Sequence, residues 1–395
     1  MGNLGREGNR KRILYLIGSK DPGGAEKVLL ELAVSFQLKG YDVTVGHLGN
    51  SWLSNELNKH NIRHVCFRFS NLYSSHKTEW MFVLNLVKFI RAHNFDLIHA
   101  HLFGMILYSS IAGRILKVPV LGTIHDKYYF MEKEHRRLAY KIIQMLGCGL
   151  VTVSEDIKDD LSRTWRIKRD EIATLYNGID FKAFDISIDR NKKRKEIGLK
   201  KEDIVVISVG RLVKMKGHSM LISTGKNIVK QNGKIRFVIV GDGQERKELE
   251  EMTVDEGISG NVIFTGHRDD VPELLLMSDI FVQTSYTEGL SCTIIEALGA
   301  GCPVVVTDVG GNKEIISNGK QGYIVPITNP TALEGRILAL ANNYGLRAEL
   351  GKNAKQTARR FSLELMIKNY EQLYLNLFNP QCRELCDSNA VHEKQ

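Results

Sequence analysis

Short apolar runs recur along the chain, each bounded by polar or glycine-rich residues. They alternate with stretches whose apolar positions return every three to four residues. The first run is 12–18 (RILYLIG), and others fall at 42–48, 63–68, 96–101, 119–124 and 149–153. Helical spacing separates them, as over 25–38 and 77–93. In the second of these, Trp80, Phe82, Val83, Leu84, Leu86, Val87 and Ile90 gather on one side, with Lys88 and Arg91 as polar partners. A second series begins at 204–209 (IVVISV). It continues at 236–240, 262–265, the IFV run after Asp279, the PVVV run from Pro303, and 321–326. Helical patterns lie between these runs and close the chain over 330–343, 345–358 and 362–378. Continuous apolar strands alternating with helices predict parallel sheets covered on both faces, an α/β class.

The turn signal Leu175-Tyr176-Asn177-Gly178-Ile179-Asp180 closes the first series. The expected division is a basic disordered lead over 1–11, a first domain over 12–185, a linker over 186–202 and a second domain over 203–360. A final helix over 361–378 and a disordered tail over 379–395 complete it. The length of 395 residues suits two domains, and 43% hydrophobic with 25% charged residues is the balance of a soluble protein. No apolar run approaches the roughly eighteen residues of a membrane span. The start, MGNLGREGNRKR, reads as neither a secretory signal nor a myristoylation site, since Arg6 stands where Ser or Thr is needed.

Charge and cysteine change the picture modestly. Residues 1–190 hold 27 Lys and Arg against 20 Asp and Glu, whereas the remainder holds 27 against 25. A basic first half suits an acidic partner: anionic lipid, a phosphorylated acceptor or nucleic acid. The alternative is a surface kept soluble by its cations. Residues 131–141 (MEKEHRRLAYK), with Arg163, Trp165, Arg166, Lys168 and Arg169, mix cations with aromatics as an interfacial helix does; a solvated face is the plainer reading. The six cysteines are scattered, and only Cys382, Cys386 and His392 have metal-like proximity, in a stretch that reads as tail with free thiols. A reducing, cytoplasmic setting is expected.

Candidate chemistry concentrates in residues 279–311, DIFVQTSYTEGLSCTIIEALGAGCPVVVTDVGG, which reads strand, loop, helix, strand, loop. Glu288 and Glu296 have seven residues between them. Eight helical steps rise about 12 Å and turn about 80° past two full turns, so two such acids hold two ends of an extended ligand rather than one atom. Backbone N–H groups of Leu290, Ser291 and Cys292 would lie between them, near the positive end of a helix. The plainer reading is two solvated glutamates. After the strand at 204–209 comes Gly210-Arg211-Leu212-Val213-Lys214-Met215-Lys216-Gly217, where Arg211 offers a rigid fork and Lys216 a point charge for a diphosphate. After the first strand, Gly23-Gly24 opens a helix, an arrangement that presents N–H groups to an anion or is simply a turn. His99, His101 and His125 fall at strand ends, placed for a ligand or held as structural histidines.

These segments, spread over roughly residues 12–375, closely resemble the retaining glycosyltransferases of the GT-B fold (group 1, family 4 type), whose donor-site signature is E-x7-E. The resemblance implies two Rossmann-like, doubly wound domains facing each other across a cleft, with the final helix over 361–378 crossing back to the first domain. It also implies transfer of a hexose-type sugar from a UDP- or GDP-sugar to a saccharide or lipid-linked saccharide, as in bacterial cell-envelope polysaccharide or glycolipid synthesis. In such enzymes the counterparts of Arg211 and Lys216 bind the donor diphosphate, with Gly23, Gly24, Leu290, Ser291 and Cys292 near it. Glu296 would take the ribose, and Gly266, His267 and Val271 mark the region of the base. Glu288 and His125 would flank the sugar as the catalytic pair, with Gly23, His99 and His101 on the acceptor side. The implied partners are a nucleotide sugar, an acceptor and an anionic membrane surface, without nucleic acid. No cofactor is expected, and with no Asp-x-Asp at a strand end, no metal. The sequence departs from the pattern at Thr284-Ser285 and Ser291, where prolines are common in the family; this bears on loop stiffness rather than chemistry. An epimerase on the same architecture and a non-catalytic sugar-nucleotide-binding subunit remain alternatives. A dehydrogenase is disfavoured because neither first βα loop has G-x-G-x-x-G.

Overall fold

The computed structural model describes residues 10–19, 21–67, 76–127 and 135–379. They form two compact units. One takes the chain up to Asn177 together with the part from Glu364 onward; the other is the continuous stretch Gly178–Leu363.

The first unit is built on seven strands: β1 (Arg12–Ile17), β2 (Asp42–His47), β3 (Arg63–Cys66), β4 (Leu97–His101), β5 (Val120–Ile124), β6 (Gly149–Thr152) and β7 (Ile172–Thr174). Their order is β3-β2-β1-β4-β5-β6-β7, and every pairing is parallel. The chain winds outward from the middle in both directions, so the crossover sense reverses between β1 and β4. Ligands of doubly wound sheets bind at such a reversal, beyond the carboxyl ends of the strands. Ile17 pairs with His101 there. All five residues of β4 and of β5 are buried, which is why their sequence shows no alternation of apolar and polar positions.

The second unit holds β8 (Ile204–Val209), β9 (Ile235–Val240), β10 (Val262–Gly266), β11 (Ile280–Gln283), β12 (Val304–Thr307) and β13 (Gly322–Val325), ordered β10-β9-β8-β11-β12-β13 and again all parallel. Its switch point lies between β8 and β11. One face packs Val206, Phe237, Ile280, Val282 and Val305 against Leu333 and Ile337 of the helix Pro330–Ala341. The other buries Leu212, Ile222, Ile239, Leu249 and Ile258. These are the covered parallel sheets that the periodicity predicts, doubly wound as the resemblance implies.

Four places refine that reading. In the helix His76–His93, Phe82, Val83, Leu86, Val87 and Ile90 are buried, whereas Trp80 and Leu84, expected on the same side, are exposed. Strand β7 has three residues, too few to show a period. The helix expected from 131 is His135–Met145, with 131–134 outside the described residues. The charged run 181–202, expected as a linker and small helix, forms the helix Arg190–Glu196, capped by Asp189, whose carboxylate accepts from the N–H of Asn191 and Lys192. Its Arg194 is buried and donates to the carbonyls of Met277, Lys201 and Asp203 and, at 2.7 Å, to Asp279. That run is therefore fastened to the second sheet. The expected lead and tail, with Cys382, Cys386 and His392, fall largely outside the described residues. No described helix is long and apolar enough to cross a membrane.

Candidate active site

At the switch point of the second sheet, the loops after β8 and β11 lock together through backbone. Tyr286 N–H donates to the Met215 carbonyl at 2.8 Å, and the Thr284 hydroxyl donates to that of Gly217 at 2.8 Å. Gly217 has φ +63°, and a Cβ on it would stand 2.2 Å from the Thr284 oxygen, so only glycine permits this approach. The loop after β12 closes the other side. Thr307 Oγ1 donates to the Ser285 carbonyl at 2.6 Å and Gly311 N–H to that of Gly289 at 2.9 Å.

Glu288 sits within this framework and is buried. Its Oε1 accepts from Lys216 Nζ at 2.6 Å, Gln283 Nε2 at 2.9 Å and Ser285 Oγ at 2.5 Å. All three bonds converge on one oxygen, leaving Oε2 to accept from a ligand. Two predicted residues, Glu288 and Lys216, are thus brought into direct contact. Arg211 lies on the same loop as Lys216, exposed, with no side-chain partner among the described residues. His218, the first residue of the helix His218–Gln231, is buried beneath that loop, and burial holds its pKa down at about 4.

The helix Cys292–Ala300 begins four residues after Glu288. Ser291 caps it, its Oγ accepting from Ile294 N–H at 3.4 Å. Leu290 and Ser291 are buried, Cys292 is half-buried at the first helical position, and Glu296 is half-buried one turn further on. The first-turn N–H groups lack helical acceptors and carry the positive end of the dipole. Of the residues expected near the base, Gly266 ends β10 with φ +71° and its carbonyl accepts from Gly241 N–H at 2.9 Å. His267 is exposed beside Asp269, and Val271 starts the helix Val271–Leu276.

In the first unit, Gly23 precedes the helix Gly24–Leu38 in an extended conformation and makes no side-chain cap. Ser19 donates instead to Glu26, a buried carboxylate of the first turn. His99 is fully buried, its Nδ1 2.6 Å from Tyr374 Oη and its Nε2 2.7 Å from Thr123 Oγ1. Both ring nitrogens are spent inside the core, whereas His101 keeps its Nε2 without a hydrogen-bond partner among the described residues. His101 Nδ1 lies 2.8 Å from His125 Nε2, with the rings stacked. Burial lowers the pKa of all three rings, that of His125 to about 3.

Sequence reasoning passed over Gln283, Ser285, His218, Glu26 and the tyrosines 370 and 374. A polar residue closing an apolar strand, as Gln283 closes IFVQ, was the available signal. Of the cations beside residues 131–141, Arg169 and Arg163 pair with Asp159, and Lys168 with Glu171. The Trp165 side chain lies outside the described residues. No group of three or more described His, Cys, Asp or Glu residues is arranged to hold a metal ion.

The family profile "Glycosyl transferases group 1" matches residues 189–357 and "Glycosyltransferase Family 4" matches residues 22–183. The chain belongs to the GT-B glycosyltransferases and is a transferase. An uncharacterized glycosyltransferase of Methanocaldococcus jannaschii is 27% identical over 71% of this chain and 75% of its own. The UDP-Gal:alpha-D-GlcNAc-diphosphoundecaprenol alpha-1,3-galactosyltransferase of Escherichia coli is 24% identical over 75% and 79%. The crystal structure of Anabaena Alr3699/HepE in complex with UDP shares the fold, with a TM-score of 0.81 at 24% identity, covering 92% of this chain and 100% of that one.

Proposed function

We propose that the protein moves a hexose-type sugar from a UDP- or GDP-sugar to a saccharide or lipid-linked saccharide acceptor in cell-envelope synthesis, retaining the anomeric configuration and needing no metal. The observation that carries this reading is the Lys216–Glu288 contact at the switch point of the second sheet, with Arg211 on the same loop. As the bond to the diphosphate breaks, negative charge grows on the departing oxygens. Arg211, Lys216 and the N–H groups of Leu290, Ser291 and Cys292 stabilise it without reorganising. Gly23 and Gly24 offer backbone N–H groups to a phosphate. Glu288 offers Oε2 to a sugar hydroxyl, Glu296 takes the ribose hydroxyls, and the base lies near Gly266, His267 and Val271. His125 stands beside the sugar. The activity for which the Escherichia coli relative is named and the UDP held by the Anabaena protein support a uridine donor and a lipid-linked acceptor.

The test is a panel of UDP- and GDP-sugars scored by thermal shift, then acceptors scored by transfer with and without a chelator, with the anomeric configuration of the product read by NMR. Stabilisation by one donor that disappears in Arg211→Ala, followed by chelator-resistant transfer with retention, is the expected result. No response to any activated sugar sinks the reading.

With a lipid-linked acceptor, the proposed working place of the protein is the cytoplasmic face of a membrane. Two helices support this: His76–His93 exposes Trp80, Met81 and Leu84 near Lys88 and Arg91, and His135–Met145 exposes Leu138, Ile142 and Met145 beside Lys141. Both pack against the helix Phe103–Leu116. Apolar side chains among cations suit an anionic interface. Flotation with vesicles rich in phosphatidylglycerol, lost on Trp80→Ser with Leu84→Ser, checks it; equal flotation with neutral vesicles counts against the electrostatic part.

A further inference from the structure

His101 and His125 are joined by one hydrogen bond, and its direction is open until the rest of His101 is considered. Their facing nitrogens, His101 Nδ1 and His125 Nε2, are 2.8 Å apart, so one carries the proton and the other the lone pair. Burial holds both rings neutral. His101 Nε2 is buried with no hydrogen-bond partner among the described residues. If Nδ1 accepted, Nε2 would carry the ring proton and be an orphaned buried N–H. If Nδ1 donates, Nε2 is only a bare lone pair. Orphaned buried donors are the rarer and costlier case.

We infer that His101 donates its Nδ1–H to His125 Nε2 and thereby fixes His125 as the tautomer protonated on Nδ1. The Nδ1 edge of His125 has no partner among the described residues, so the hydrogen bond it can offer a ligand is one it gives. His125 then acts as a neutral donor to a ligand oxygen, and not as a proton acceptor. His101 is a positioning residue. This rests on the proposed placement of His125 beside the sugar.

The surroundings hold His101 in place. Its ring centroid lies 4.3 Å from that of His99 and 5.1 Å from that of His125. His99 is itself clamped between Tyr374 and Thr123. The next residue, Leu102, has φ +70° and ψ 147°, a conformation that essentially only glycine adopts freely, and its N–H reaches the Thr123 carbonyl at 3.3 Å. Strain of this kind persists where packing over-determines it, here at the turn that aims His101.

The experiment uses the full chain labelled with nitrogen-15 in the histidine rings. Long-range proton–nitrogen correlation spectra distinguish the two neutral tautomers, and His125→Asn identifies the His125 signals by their loss. The expected result is a His125 ring protonated on Nδ1 in the unmodified protein. That state should persist in His101→Asn, whose amide N–H stands where Nδ1–H stood, and give way to a mixture in His101→Leu. Turnover should fall about tenfold in His101→Leu, the worth of one oriented hydrogen bond, with the donor KM little changed, and recover in His101→Asn. A His125 protonated on Nε2 in the unmodified protein overturns the inference even where no variant folds, and so does a tautomer unmoved by His101→Leu. A tautomer that responds while turnover does not upholds the His101 relay and instead overturns the placement of His125 beside the sugar.

Discussion

Lys216 and Glu288 are 72 positions apart in sequence and 2.6 Å apart in the fold. Two side chains proposed for adjacent parts of a donor, cation for phosphate and acid for sugar, therefore restrain each other before any ligand arrives. Glu288→Gln keeps a carbonyl for the three donors around Oε1 but removes the charge facing Lys216. Turnover should fall by about 10²–10³, as on loss of one preorganised group. A nucleoside diphosphate should bind roughly two- to tenfold tighter, because Lys216 no longer shares its charge with an acid. Calorimetry beside steady-state kinetics reads both. Weaker nucleotide binding in Glu288→Gln would show that the ion pair does not compete with the ligand.

Gly310 has φ +53°, and a Cβ there would meet the Glu288 carbonyl oxygen at 2.0 Å. Gly310→Ala should cost about 1–3 kcal/mol of stability and displace Glu288, so that activity drops beyond what unfolding explains. Gly257 has φ +70° but open space around it. Gly257→Ala should cost only about 1 kcal/mol and leave turnover intact. Thermal melts and activity assays of the pair separate backbone strain from steric clash.

Tyr374 bonds His99 Nδ1 and lies 3.1 Å from Tyr15 Oη, all inside the core of the first unit. Tyr374→Phe leaves a buried ring nitrogen without its partner and should destabilise by about 1–3 kcal/mol in urea titrations. In a double-mutant cycle with His99→Phe the two losses should not add, since they break the same bond.

Buried His218 has a folded pKa of about 4 against an ordinary 6.5. Below pH 6.5 the unfolded chain binds a proton there that the folded chain refuses. Its stabilising contribution is therefore complete above about pH 6.5 and is lost as pH falls towards 4. The loss amounts to about 3 kcal/mol. His218→Gln should flatten this limb of the stability–pH curve measured by denaturant unfolding. An unchanged slope would mean that other groups carry the acid sensitivity.

Leu102→Gly removes the conformational penalty next to His101. Stability should rise by roughly 1 kcal/mol while turnover falls, the usual exchange where strain aims a functional group. A variant that gains stability with full activity would show that the strain serves no aim.

Much of the fold was legible because buried parallel strands write themselves as uninterrupted apolar runs. The runs at Ile204–Val209 and Ile280–Gln283 marked two strands that prove adjacent at the second switch point. The loops following them carried Arg211, Lys216 and Glu288 in readable order. What could not be read were relationships with no local trace. Nothing near His99 announces Tyr374, 275 residues away, and β4 is buried on both faces, so its sequence does not tell which of His99 and His101 is left with a spare nitrogen. The convergence of Gln283, Ser285 and Lys216 on one oxygen depends on glycine contacts such as Gly217 against Thr284, which a list of residue types does not contain.

The first unit is assembled from both ends of the chain, with Tyr370 and Tyr374 of the helix Leu363–Phe378 set into its core. During synthesis the whole of Gly178–Leu363 leaves the ribosome before that helix does. Domains generally fold as units while the chain emerges, and the continuous unit is complete first. The half of the molecule that is translated earliest is therefore the last to close, and His99 acquires its tyrosine partner only once the helix Leu363–Phe378 has emerged.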